Sequence, residues 1–183
     1  MENSIFTILL FFVYTAVSAQ SIARFNINTT KSTVYWSGKK LVGGLTEGTI
    51  RIDKGTLNFN KQQLTTGEIV MNTKSIASDK ASARLIAHLK NDDFFAVDKF
   101  PTSTFVITSV SGNLLNGKMT IKGITHDLSF PVDIVYTKDA VVAKALQVKV
   151  NRTKFDVRYR SGSIFSGLGD GAIDDDFILD ITL

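Results

Sequence analysis

The segment from Arg84 to Asp93 gathers the side chains of this chain best suited to proton chemistry. His88 stands four and five residues before Asp92 and Asp93, with Arg84 one helical turn upstream. An imidazole oriented by a carboxylate is a general base, and Ser103 or Thr104 could then serve as the nucleophile of a hydrolase-type site. The same residues also have a purely structural reading. A histidine near a helix end caps carbonyls or pairs with a carboxylate, and Asp92-Asp93 opens a turn. The structural reading is the one expected, so no residue is assigned a catalytic role. His126, the other histidine, reads as a turn residue.

A metal centre has little to build on. The chain has two histidines, no cysteine and no HExxH-like spacing. The acidic run from Asp170 to Asp176 lacks the ligand spacing and closing glutamate of a calcium loop. Neither a metal nor another cofactor is expected. Gly43-Gly44 and Gly167-Leu168-Gly169 are not phosphate cradles, because no helix clearly follows them.

The element that must position His88 is a short helix. Ala83 to Leu89 holds good to fair helix formers, Ser78-Asp79 is the expected N-cap, and the pattern breaks at Asn91. Phe94, Phe95, Phe100 and Phe105 follow, and Pro101 forces extended geometry on Phe100. A helix that delivers an aromatic cluster to a β-rich body suggests a plug or lid over a cavity.

Around it the chain reads as short strands separated by turn residues. Ser32–Lys40 sets Val34 and Trp36 on one face. Leu45–Asp53 and Thr56–Asn60 follow, parted by a turn at Asp53-Lys54-Gly55, and then Gly67–Ile76. After Pro101 come Thr102–Val110, Leu114–Ile121 and Ile124–Val135, where Pro131 marks an edge or a bulge. Ala140–Val150 groups Leu146 with Val148 and Val150, Lys154–Arg160 alternates strictly, and Phe177–Leu183 closes the chain after a Gly-, Ser- and Asp-rich loop. The expected fold is all-β with one short helix, an eight-stranded antiparallel barrel whose closure removes exposed edges. Such a barrel holds either packed side chains or one small ligand.

Residues 1–19 form a separate unit. The apolar run Ile5–Val17 is short for a membrane span and ends in Val17-Ser18-Ala19, small residues suited to a signal peptidase. The expectation is a cleaved signal peptide and a single domain over 20–183, placed in the periplasm or secreted. The 21 Lys and Arg against 17 Asp and Glu are dispersed rather than clustered, which speaks against nucleic-acid binding.

Six motifs in order carry a resemblance to a known family: STVYWSGKK…GLTEGTI, NTKSI (Asn72–Ile76), HLKNDDFF (His88–Phe95), KFPTSTF (Lys99–Phe105), GKMTIKGITHDLSFPV (Gly117–Val132) and NRTKFDV (Asn151–Val157). The chain resembles the YceI family of secreted bacterial lipid-binding proteins from about Ser32 to Leu183. The resemblance implies a lipocalin-like barrel whose pore holds a long apolar chain, a polyisoprenoid or fatty amide, often in a homodimer. Many members carry an Arg-Asp pair just before the His-Leu of the helix. Here Arg84 precedes Leu85, Ile86 and Ala87, so the acidic partner is missing.

With thirteen phenylalanines in the chain, the expected pore lining is Trp36, Phe94, Phe95, Phe100, Phe105, Phe130 and Phe155. Arg84, His88 and Arg158 are the candidates for holding a lipid head group. Ten sequestered methylenes, at about 0.8 kcal/mol each, would contribute roughly 8 kcal/mol before ordering costs. Binding a long-chain isoprenoid or fatty lipid therefore needs no catalytic group. Three other readings are open: the His88 enzyme, a structural barrel with a filled core, and a small outer-membrane barrel.

Overall fold

The computed structural model describes residues 22–183; the expected signal peptide lies outside the described residues. Ten strands and one α-helix follow in the order β1 (Ile22–Asn26), β2 (Thr33–Lys39), β3 (Leu45–Asn60), β4 (Gln63–Ala77), α1 (Ala83–Lys90), β5 (Thr102–Ser111), β6 (Leu114–Ile121), β7 (Ile124–Pro131), β8 (Asp133–Tyr136), β9 (Val141–Asn151) and β10 (Asp176–Thr182). Every strand pairing is antiparallel, in the order β7-β6-β5-β4-β3-β2-β10-β9-β8. β1 pairs with the far half of β3, from Thr56 to Asn60, and β2 with its near half.

The sheet curls into a half-barrel of the lipocalin-like kind, with β7 and β8 as its two free edges. Pro131 ends edge strand β7, where a missing N–H breaks no ladder. The corner is then fixed by Val132, whose N–H donates to the Asn113 carbonyl at 2.8 Å. Across the opening, the Tyr136 hydroxyl of β8 donates to the Gln62 carbonyl at the β3–β4 turn. Its ring meets Phe59 edge-on at 6.2 Å.

Among the described residues the strand count is ten rather than eight, for local reasons. Asp53-Lys54-Gly55 is a bulge inside one sixteen-residue strand, not a turn, because β4 follows β3 through register shifts on either side. β1 escaped the sequence reading entirely. The strictly alternating Lys154–Arg160 is no strand. Asn151 caps a 3-10 turn over Arg152–Phe155 by accepting from the Thr153 N–H at 3.1 Å, and Asp156 then takes a left-handed conformation at φ 58°. In β9 a bulge breaks the alternation at Leu146-Gln147, where the Gln147 N–H donates to the Asp180 carboxylate at 2.7 Å. Ala143, Ala145, Val148 and Val150 point inward, while Leu146 is 61% exposed. The expected grouping of Leu146 with Val148 and Val150 is thereby corrected.

The helix cap stands three residues beyond Asp79 and four beyond Ser78. Ser82 stands immediately before Ala83, and its hydroxyl accepts from the Leu85 N–H at 3.3 Å. Ser78 instead serves the preceding turn, accepting from the N–H groups of Lys80 and Ala81.

Candidate functional site

Away from the bulges, the central strands of the curled sheet place every second side chain in the lumen. On β5 these are Ser103, Phe105 and Ile107, and on β6 Leu115, Gly117, Met119 and Ile121. Gly117 is required there. A Cβ at that position would sit 2.4 Å from the Phe105 ring and 2.6 Å from the Val106 carbonyl oxygen. Gly48 does the same for Trp36, whose ring would lie 2.6 Å from an added Cβ. The Trp36 indole N–H donates to the Thr49 carbonyl at 3.1 Å.

The lumen is divided into two chambers. The upper one has a volume of about 410 Å³ and opens between β2, α1 and the loops after Lys39 and Arg158. Trp36, Ile50, Leu85, Leu89, Phe94 and Phe95 form much of its wall, with Lys39, Lys40, Thr46, Asp174 and Asp176 towards the polar side. The lower chamber, about 40 Å³, is almost filled by its own lining, which includes Phe105 and Phe130, their rings tilted against each other with centroids 5.3 Å apart. It exposes no polar surface. The barrel is thus hollow above and nearly solid below, not an open tube throughout.

Three of the four buried polar residues among those described, Thr73, Ser103 and Arg152, line the upper chamber. Thr73 uses its hydroxyl to donate to the Phe100 carbonyl at 2.6 Å. Arg152, 3% exposed, was missed by sequence reasoning, although the NRTKFDV motif contains it. Its guanidinium donates to the carbonyls of Asp174, Val157, Tyr159 and Ile173 at 2.7 to 3.1 Å, and its Nη2 lies 3.8 Å from Asp175. Burial pushes the Arg152 pKa down, while Asp175 and Asp174 oppose that shift. For Asp175 burial acts upward, but hydrogen bonds from Ser161 and Ser163 and the charge of Arg152 together hold its carboxyl below the usual range. Arg152 therefore gathers the 153–175 segment into the chamber wall.

The expected site residues separate into three groups. Trp36, Phe94 and Phe95 face the upper chamber, and Phe105 and Phe130 the lower one. Phe100 and Phe155 line neither. The Phe100 ring lies beside Gly123 on the β6–β7 turn, and Phe155 packs edge-on against His126 at 5.3 Å. Arg84, His88 and Arg158 also stand outside both walls. Leu85 and Leu89, four residues apart, take the inward face of α1 and leave Arg84 and His88 on another. His88 packs edge-on against Phe94 and Tyr159, with Nε2 3.4 Å from Asp93. Arg158 pairs with Asp156 at 3.0 Å. At the mouth the charged groups that do line the chamber are Lys39, Lys40, Asp174 and Asp176, with Lys39 3.5 Å from Asp174.

Among the described residues no group of three or more His, Cys, Asp or Glu is placed to hold a metal ion. No helix among them is long and apolar enough to cross a membrane.

The sequence profile of the YceI-like domain matches residues 25–183. The chain belongs to the YceI-like family. A UPF0312 protein of Staphylococcus aureus (strain USA300) is 44% identical over 63 residues, 34% of this chain and 33% of that protein. The chain therefore matches about a third of the length of the curated relatives. BcnA of Burkholderia cenocepacia has the same fold with a TM-score of 0.69 at 19% identity, covering 85% of this chain and 97% of BcnA. A polyisoprenoid-binding domain from Saccharophagus degradans, implicated in plant cell wall breakdown, superposes with a TM-score of 0.65 at 10% identity, covering 88% and 97%. At these identities the likeness of this YceI-like chain to both structures is one of fold.

Proposed function

We propose that this protein binds a single-chain apolar lipid, polyisoprenoid or fatty-amide-like, in the upper chamber and releases it unchanged, as a periplasmic or secreted carrier or store. The observation that carries this reading is the 410 Å³ chamber itself, walled mainly by aromatic and aliphatic side chains, with its charged groups at the mouth apart from the buried Arg152, whose guanidinium is bonded to backbone carbonyls. The polyisoprenoid-binding neighbour of the same fold supports the ligand class. Exposed Leu41, Val42 and Leu45 stand beside this opening, so an entering chain meets apolar surface first. A head group would meet Lys39, Lys40 and Asp174 rather than Arg84, His88 or Arg158. The homodimer implied by the family is part of the proposal and is open to sedimentation analysis.

The His88 enzyme has less support. Asp93 is in place beside the imidazole, but Ser103 faces the chamber that His88 does not line. The deciding experiment is organic-solvent extraction of the purified protein, followed by mass spectrometry of the extract. One chain-like lipid per protein is expected. No released lipid, together with no uptake of a supplied prenol, would leave the structural barrel as the answer.

A further inference from the structure

Met71, Met119 and Leu179 are the three residues that line both chambers. Their positions along the strands make them one layer of the lumen. On β4, Thr73 faces the upper chamber, Met71 both, and Ile69 the lower. On β10, Phe177 is above, Leu179 shared, and Ile181 below. On β6, Ile121 is above, Met119 shared, and Leu115 below. Residues two apart on a strand are separated by roughly 7 Å, so the three shared side chains cross the lumen at one level from opposing walls. In the strand order β4 and β6 flank β5, while β10 lies beyond β3 and β2. All three are at most 5% exposed.

Apart from Met1, Met71 and Met119 are the only methionines of the chain. Methionine is unbranched, has three rotatable bonds and repacks where a stiffer side chain would not. Beneath it lies a void of about 40 Å³ with a wholly apolar lining. Side chains around an apolar void of that kind lack contacts that an inserted hydrocarbon would supply.

We propose that this layer is a movable septum that gauges the length of the bound chain. The inference rests on the lipid-binding reading and specifies its ligand. The upper chamber, about 410 Å³, receives the first part of a tail, and the small void beneath the layer marks where a long one continues. A shorter tail ends above Met71 and Met119. A longer one turns both thioethers aside and continues into the lower chamber past Phe105, Phe130 and Ala145. The preferred ligands are single hydrocarbon or isoprenoid chains long enough to use both chambers.

The test uses purified, delipidated protein with dodecanol and docosanol as probes, delivered from cyclodextrin and scored by native mass spectrometry. The double substitution Met71→Ala/Met119→Ala opens the septum and should raise the docosanol-to-dodecanol affinity ratio about tenfold. Ala145→Leu fills the lower chamber and should lower that ratio by about tenfold. Circular dichroism establishes that each variant is folded, and either variant alone tests the septum. An unchanged ratio in a folded variant would overturn it while leaving lipid binding intact. If the unsubstituted protein retains neither alcohol, lipid binding itself fails, and the septum with it.

Discussion

Arg152 donates from Nη1 to the carbonyl oxygen of Val157 at 2.7 Å, with both residues closed off from solvent at 3% and 0% exposure. Around this contact the guanidinium serves three further carbonyls, and the chain from 153 to 175 is drawn over the end of the lumen. Replacing Arg152 by Met removes every donor and leaves those carbonyls and Asp175 without it. The cost should be about 3 kcal/mol or more. For a domain of this size that lowers the Tm by roughly 6–12 °C, measurable by calorimetry. A shift within a degree or two would show that the loop holds its place without the arginine.

Asp175 gives this arrangement a pH dependence. Its folded pKa lies below the ordinary carboxylate value, so the unfolded chain binds the proton more readily. The stabilisation is complete above the unfolded value near pH 4, and is lost as pH falls through the lower folded value. The Tm difference between the protein and Asp175→Asn should be constant from neutrality to about pH 5 and then shrink in more acidic buffer. A difference that grew on acidification would reverse the sign and refute the assignment.

Trp36 is the single tryptophan of the chain and lines the upper chamber. Loading the chamber with a saturated alcohol should shift its emission to shorter wavelength, because hydrocarbon replaces water beside the indole. Emission that stays fixed at saturation would place the ligand elsewhere.

Leu89 offers a way to damage binding while sparing the fold. It faces the chamber from a helix that has no fully buried residue. Leu89→Glu puts a carboxylate where the tail lies, and long-chain alcohol affinity should fall at least about tenfold. The unfolding midpoint in urea should move little. Undiminished binding would move the tail away from α1.

His88→Ala separates the carrier from the enzyme. The change removes edge-on packing with Phe94 and Tyr159, worth about 1 kcal/mol of stability. Lipid should still co-purify, since His88 stands outside the chamber wall. Loss of the bound lipid in a folded variant would reinstate His88 as a ligand contact.

Sequence alone determined the antiparallel β character, the place of the helix and the richness of the aromatic lining. These follow from local signals: period-two alternation as in Ser103, Phe105 and Ile107, a run of helix formers bounded by Asn91, and Pro101 before a strand. Tertiary structure decided which alternations are real. Lys154–Arg160 alternates as well as any strand, but a 3-10 turn and the buried Arg152 claim its backbone groups. Leu146 loses its inward place to a one-residue bulge held by Asp180, a residue over thirty positions away. Whether the lumen is hollow was also beyond a linear reading. That depends on the volumes Met71, Met119 and Leu179 bring together from three separated strands, and no window of neighbouring residues contains all three.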